Sequence, residues 1–420
     1  MMAQTPEDLP IITRRAALGF GACAGLATLG VLGGLNSLRR APEMIAAVKA
    51  GPPAPPLKNW PTLDALAERM VATKLTPGLS LSVMHAGTLL YARGFGVAQV
   101  ASDKMVTPQT GFRIASITKH FTATGILLLA EAGKLSVSDP LSRFIPEFPR
   151  GNEVSLRQLL SHTSGLGDYI NGQSKDILDE AQHRDYTANE LLAVITRRQP
   201  LFRYQPGQTW YYSNSGFALL GIVIERVSGQ AFADFMQQHL FTPAGLTQTV
   251  IDKSCLISSG CSGYRPDYLA EHKFDEVLPI SPSFGGGAGA IRSTTNDLCL
   301  WQAALMGGKI VAPKSLQEML TPVMLKDGTP ALEKRSTETL EYGFGLGLGE
   351  QGKLRFASHG GRINGFTGHM RIFPDQKLTI AILYNSDGGG APGFAKSQRG
   401  LRAEATALSL TELGLSVDLA

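Results

Sequence analysis

"ASITKHFTATGILLLAEAGK", residues 115–134, reads as a buried helix with one oddity at its mouth. The run from His120 onward is apolar nearly all round, which is the pattern of a helix enclosed by protein rather than one lying on a surface. Gly133 supplies the stop. Yet Ser116 and Lys119 stand three residues apart at the entrance, and positions three apart are neighbours on a helix. A solvated lysine fits poorly there. A hydroxyl in the first turn also sits where unpaired N–H groups and the helix dipole favour developing negative charge. A serine hydroxyl is a weak nucleophile until a base takes its proton, and an adjacent amine is such a base or tunes one. Ser-x-x-Lys alone is a weak signal, more often met by a helix cap followed by a solvated lysine.

Working outward, "GLSLSVMHAGTLLYARGFGVAQ" before this helix gives two strands turned at His85–Ala86–Gly87. "PTLDALAERMVATKL" places Leu63, Leu66 and Met70 on one helical face. From about 140 to 310 the pattern is mostly helical, with capping boxes at Ser155/Gln158 and Thr187/Glu190. Residues 342–386 alternate, with turns, as three or four strands, and a last helix falls near 398–413. Neither set of strands buries a face alone, so strands from both ends must share one sheet. The fold class predicted is therefore α/β: an antiparallel β-sheet flanked by helices, with an inserted, mostly α-helical lobe at roughly 140–310. A site belongs in the cleft between lobe and sheet.

Before the domain, Arg14–Arg15 precede an uncharged stretch from Ala16 to Leu38, which resembles a twin-arginine export signal. The stretch is also long enough for an uncleaved membrane anchor, since 20 helical residues span about 30 Å. Residues 1–50 are read as leader or anchor, 51–61 as a Pro-rich tether, and 62–415 as the domain. An exported chain, periplasmic or held at the outer face of the inner membrane, follows. Outside the cytoplasm Cys255 and Cys261 are close enough in sequence to close a small loop, whereas Cys299 sits in a helical core pattern. Net charge is only +4 and no basic stripe with interleaved aromatics occurs, which argues against nucleic acid as partner. No Cys/His cluster has metal spacing. "GFGLGLG" lacks the following helix of a nucleotide fingerprint, and no Gly-x-Ser-x-Gly elbow exists.

Two more stretches complete the pattern. "PGQTWYYSNSGFALLGIVIERVSG" carries Tyr212-Ser213-Asn214 at the start of another apolar helix, and "FASHGGRINGFTGHM" carries His359-Gly360-Gly361 at the end of a strand. With Ser116-x-x-Lys119, these three ordered motifs resemble the serine β-lactamase and penicillin-binding protein superfamily, in its class C β-lactamase-like branch. "SLRQLLSHTSGL" (155–166) and "GGGAGAIRSTTNDLCLWQAAL" (285–305) also match that branch, and the likeness runs from about Trp60 to Gly390. The resemblance implies an acyl-enzyme hydrolase that needs no cofactor and no metal, working on a small-molecule or peptide substrate.

By that resemblance Ser116 is the nucleophile, Lys119 its activating neighbour and Tyr212 a phenolate-like base whose proton the ammonium makes easier to lose. Asn214 would hold Lys119 and the substrate amide, and His162 would be structural support. Gly360 and Gly361 let a substrate backbone approach a strand edge closely. The backbone N–H groups of Ser116 and Arg362 would form the oxyanion hole. His359 stands where many β-lactamases have lysine, so efficient β-lactam hydrolysis is not expected of it, and a partly charged imidazole would tie turnover of carboxylate-bearing substrates to pH. The implied activity is that of a β-lactamase, D-Ala-D-Ala carboxypeptidase or D-aminopeptidase. A β-lactamase-fold esterase is the near alternative, and a non-catalytic module that binds cell-wall peptide the distant one.

Overall fold

The computed structural model describes residues 57–415 apart from 172–174, 253, 255–259, 268–272, 336–337 and 390–392. The leader, most of the Pro-rich tether and Cys255 lie outside the described residues. In chain order the strands are β1 (Gly78–His85), β2 (Thr88–Gln99), β3 (Lys104–Met105), β4 (Phe112–Arg113), β5 (Val250–Ile251), β6 (Gly263–Asp267) and β7 (Lys273–Val277). They continue as β8 (Ile291–Ser293), β9 (Leu332–Lys334), β10 (Thr339–Tyr342), β11 (Gly347–Gln351), β12 (Leu354–Ile363), β13 (Phe366–Phe373) and β14 (Leu378–Tyr384).

Strands from the two ends of the chain do share one sheet. Its order is β3-β2-β1-β14-β13-β12-β11-β10-β9, and β1 lies antiparallel to β14 from Leu79↔Tyr384 to His85↔Leu378. The outer face packs Leu79, Leu81, Ile380 and Ile382 beneath helices Pro61–Ala72 and Phe394–Glu412. The alternation Leu-Ser-Leu-Ser in β1 suggests a wet second face, but Ser80 and Ser82 are fully buried. They hydrogen-bond the Thr295 hydroxyl at 2.9 and 2.7 Å, so a polar seam joins sheet to lobe.

Within the lobe both capping boxes form as the sequence predicts, opening helices Leu156–Leu160 and Ala188–Thr196. Cys299 is fully buried in helix Thr295–Met306. The lobe is less purely helical than expected. It also holds the hairpin β6–β7, and its strands β5 and β8 form a small sheet with β4, which precedes the lobe, in the order β4-β8-β5. The strands of the small sheet escape the sequence pattern because two- and three-residue segments carry no periodicity to read.

Candidate active site

The stretch 115–134 folds as a 3-10 turn, Ala115–Ile117, leading into helix Thr118–Glu131, with Gly133 at φ 68° just beyond its end. Ser116 thus precedes the α-helix rather than occupying its first turn. Ala115 takes φ 48°, a left-handed conformation unusual for a residue with a Cβ, and such strain persists only where the surroundings enforce it. What enforces it is β12. A Cβ on Gly361 would stand 2.1 Å from the Ile114 carbonyl oxygen, so only glycine admits the turn this close to the strand. The pairing of β12 with β11 ends at Ser358↔Gly347, while its pairing with β13 continues to Ile363. Among the described residues the edge from His359 to Ile363 therefore has no strand beside it on the β11 side, and it borders the cleft. That cleft, about 720 Å³, is lined by Ser116, Tyr212, Asn214, His359, Gly360, Gly361 and Arg362 among others.

Lys119 is fully buried. Its Nζ lies 3.0 Å from Ser116 Oγ, 2.8 Å from Asn214 Oδ1 and 2.9 Å from the Ala288 carbonyl oxygen. Tyr212 hydrogen-bonds Ser116 Oγ from the other side, OH to Oγ 2.7 Å. The amine and the phenol thus converge on the half-buried Ser116 oxygen, from two segments of the chain, with Tyr212 lying 96 residues beyond Ser116. Asn214 opens helix Asn214–Ser228 but does not cap it with its side chain, because that amide is committed to Lys119.

Burial sets the protonation of these groups. It pushes the Lys119 amine down to about 7, against the pull of the nearby Asp168 charge. It pushes the Tyr212 phenol well above its ordinary range, and the Ser116 hydrogen bond offsets this only in part. The expectation of an easily lost Tyr212 proton is corrected here: desolvation of the phenolate outweighs any help from the ammonium. The Lys119 Nζ lies 4.9 Å from the centre of the Tyr212 ring, over its face.

His359 is corrected as well. It is buried, and burial with the neighbouring Lys119 charge holds its imidazole well below the usual histidine range. Its Nδ1 is 2.5 Å from the Gly360 carbonyl, which can only accept, so Nδ1 carries the hydrogen and Nε2 accepts from the Tyr342 hydroxyl at 3.2 Å. A neutral, fixed ring replaces the partly charged one expected from sequence. His162 is likewise neutral, accepting the Ser213 N–H at 3.2 Å while its ring packs against Tyr212, centroid to centroid 4.3 Å and tilted by 38°. Arg362 is exposed and lines the same cleft as Ser116.

Sequence reasoning missed Asp168. This carboxylate is 2% exposed and accepts from Asn214 Nδ2 at 2.8 Å and the Asn214 N–H at 3.1 Å. A lone aspartate inside a loop motif gives no local signal, and its partner lies 46 residues away.

The sequence profile of the Beta-lactamase family matches residues 63–405. Penicillin-binding protein 4* of Bacillus subtilis is 32% identical over 319 residues, 72% of this chain and 67% of that protein. A D-aminopeptidase of Brucella ovis is 25% identical over 80% of this chain, and the match spans only 62% of that enzyme. Among solved structures, a D-stereospecific amidohydrolase from Streptomyces sp. superposes with a TM-score of 0.67 at 26% identity, covering 83% of this chain and 98% of that one. The octameric penicillin-binding protein homologue from Pyrococcus abyssi gives 0.69 at 26%, covering 84% and 77%. The profile covers most of the chain, a relative of 32% identity is matched over two thirds of its length, and the solved structures share the fold: this chain belongs to the beta-lactamase family, within the serine β-lactamase and penicillin-binding protein superfamily.

Proposed function

We propose that this protein is a serine hydrolase that forms an acyl-enzyme on Ser116 and cleaves an amide bond in a small peptide or amino-acid amide. The observation that carries the reading is the set of contacts around Lys119 Nζ. Asn214 Oδ1 and the Ala288 carbonyl oxygen can only accept, so they take the two hydrogens of a neutral amine. The lone pair is then left for the third partner, the Ser116 hydroxyl at 3.0 Å. With its amine near pH 7, Lys119 is poised to take the serine proton as Oγ attacks a carbonyl carbon.

Tyr212 stays a neutral phenol and gives its hydroxyl proton to the leaving nitrogen; the proton held by Lys119 then returns to it. Water later attacks the ester with the same groups run in reverse. The oxyanion of each tetrahedral intermediate is assigned to the N–H groups of Ser116 and Arg362, and losing one such donor costs about 3 kcal/mol of barrier stabilisation. The Gly360–Gly361 edge of β12 offers the substrate backbone a place to lie as an added strand. An amide is favoured over an ester by two relatives, which are named as a D-aminopeptidase and a D-stereospecific amidohydrolase. A neutral His359 offers no charge for a substrate carboxylate, which keeps nitrocefin-type β-lactams below D-amino-acid amides in the expected order.

Incubation with a fluorophosphonate and peptide mapping by mass spectrometry tests the chemistry, with the adduct expected on Ser116; an unmodified protein favours the peptide-binding module. A panel of D-alanyl p-nitroanilide, p-nitrophenyl esters and nitrocefin then ranks amidase, esterase and lactamase. The Arg14–Arg15 leader supports export as part of the same proposal, with the domain acting outside the cytoplasm. Recovery of the domain only from cytosol after fractionation would overturn that part.

A further inference from the structure

Asn214 bridges two buried groups of opposite character. Its Oδ1 accepts from Lys119 Nζ and its Nδ2 donates to Asp168 Oδ2, both at 2.8 Å. An amide side chain can be turned end for end with almost no change of shape, and only its partners decide which end faces which. Here Asp168 decides. A carboxylate can only accept, so the nitrogen must face it and the oxygen must face the amine. Turned over, the amide would set oxygen against carboxylate and N–H against the Lys119 N–H groups.

The carboxylate is itself held in place. Oδ1 accepts the backbone N–H of Ile170 at 2.8 Å and of Asn171 at 2.9 Å, and Oδ2 accepts Asn171 Nδ2 at 3.0 Å. A group fixed by that many donors does not follow a moving partner; it dictates the partner's position. One hydrogen on Asn214 Nδ2 is taken by Asp168. The second is left over, and Asn214 lines the cleft.

We propose that Asp168 is a positioning residue of this site: it fixes the Asn214 amide so that its oxygen holds Lys119 against Ser116 and its remaining N–H faces the substrate. The inference rests on the hydrolase reading above and adds a member to the machinery that touches no reacting atom. Its electrostatic consequence has a definite sign. Lys119 is faced by Asp168 through the amide, by the phenol of Tyr212, and by the imidazoles of His162 and His359, which burial holds neutral. Asp168 supplies the negative charge that favours the ammonium, so its removal must leave the Lys119 amine less basic.

The test is Asp168→Asn in the full chain, read in two ways. NMR of protein carrying 13Cε-labelled lysine titrates Lys119 whether or not the enzyme turns over. The midpoint is expected to fall below that of the parent. Turnover of the best amide substrate should drop roughly 10- to 100-fold, the usual cost of losing an outer partner that orients a functional group. Asp168→Glu, which keeps the charge and displaces it by one methylene, should hold the Lys119 midpoint near the parent value while still losing turnover. An unchanged midpoint in Asp168→Asn overturns the proposal even if the thermal midpoint falls, because a merely structural carboxylate would not move an amine's titration. Full activity in both variants overturns it too. Should Asp168→Asn fail to fold, Asp168→Glu decides alone, with undiminished turnover as the contrary result. Failure of the hydrolase reading shows separately, as an unmodified Ser116 in the parent protein.

Discussion

Three side chains around one oxygen set the chemistry, and burial assigns their roles. Lys119 and Tyr212 both touch Ser116 Oγ, yet desolvation moves their titrations apart: the amine down toward neutrality, the phenol up and away from it. Tyr212→Phe removes the donor to the leaving group while keeping the ring that packs against His162. We expect turnover of amides to fall about 100- to 10,000-fold with little change in thermal midpoint. Esters with good leaving groups should suffer much less, because a phenolate departs without help; steady-state kinetics on matched amide and ester substrates checks this. Ser116 and Lys119 were legible in the sequence because a charge at the mouth of an apolar helix is a local anomaly. The protonation states were not, since they depend on how deeply residues far apart in the chain enclose one another.

At the scale of elements, the site is made by a strand whose edge is left open. Strand β12 outruns β11, and the exposed edge meets the Ala115–Ile117 turn at the one place where a glycine permits contact. Gly361→Ala forces a Cβ to within 2.1 Å of the Ile114 carbonyl, against backbone that cannot rotate away. Strand or turn must shift. The expected result is a loss of roughly 1–3 kcal/mol in urea unfolding, as for other overpacked sites, together with at least a tenfold fall in Ser116 labelling rate. Parent-like values of both would remove the close approach from the account. The two glycines could be picked out from the sequence as an approachable edge; which edge, and what approaches it, depends on the β12–β11 register, which is set by pairing and not by any local pattern. The capping boxes at Ser155 and Thr187 were readable for the opposite reason, being closed within four residues.

Across the whole molecule, the chain hides several ionisable groups in their neutral form. Lys119, His120, His162, His359 and His369 all titrate below their ordinary values because they are buried. The sign of the consequence follows from proton counting. Between about 7 and 10.5 the unfolded chain carries a proton on Lys119 that the native state has released, so stability rises with pH across that window. Below the ordinary histidine value of 6.5 the unfolded chain binds protons that the folded imidazoles refuse, so stability falls as the solution is made acid. Urea unfolding at pH 5, 7 and 9 should show both trends, and Lys119→Met should flatten the upper one while leaving the acid loss in place. A parent protein equally stable at all three would contradict the burial on which the site's chemistry depends. The joining of strands from both chain ends into one sheet was legible because neither set covers itself, whereas the hairpin inside the lobe and the small sheet that ties the lobe to β4 were not.

The most direct test of the central claim, that a neutral Lys119 takes the proton from Ser116, is the pH dependence of the rate at which a fluorophosphonate modifies Ser116. The rate should climb with pH through a midpoint near 7 as the amine loses its proton, and Lys119→Met should lose both the climb and most of the rate. A rate that ignores pH across this range, or that survives intact in Lys119→Met, would contradict the account.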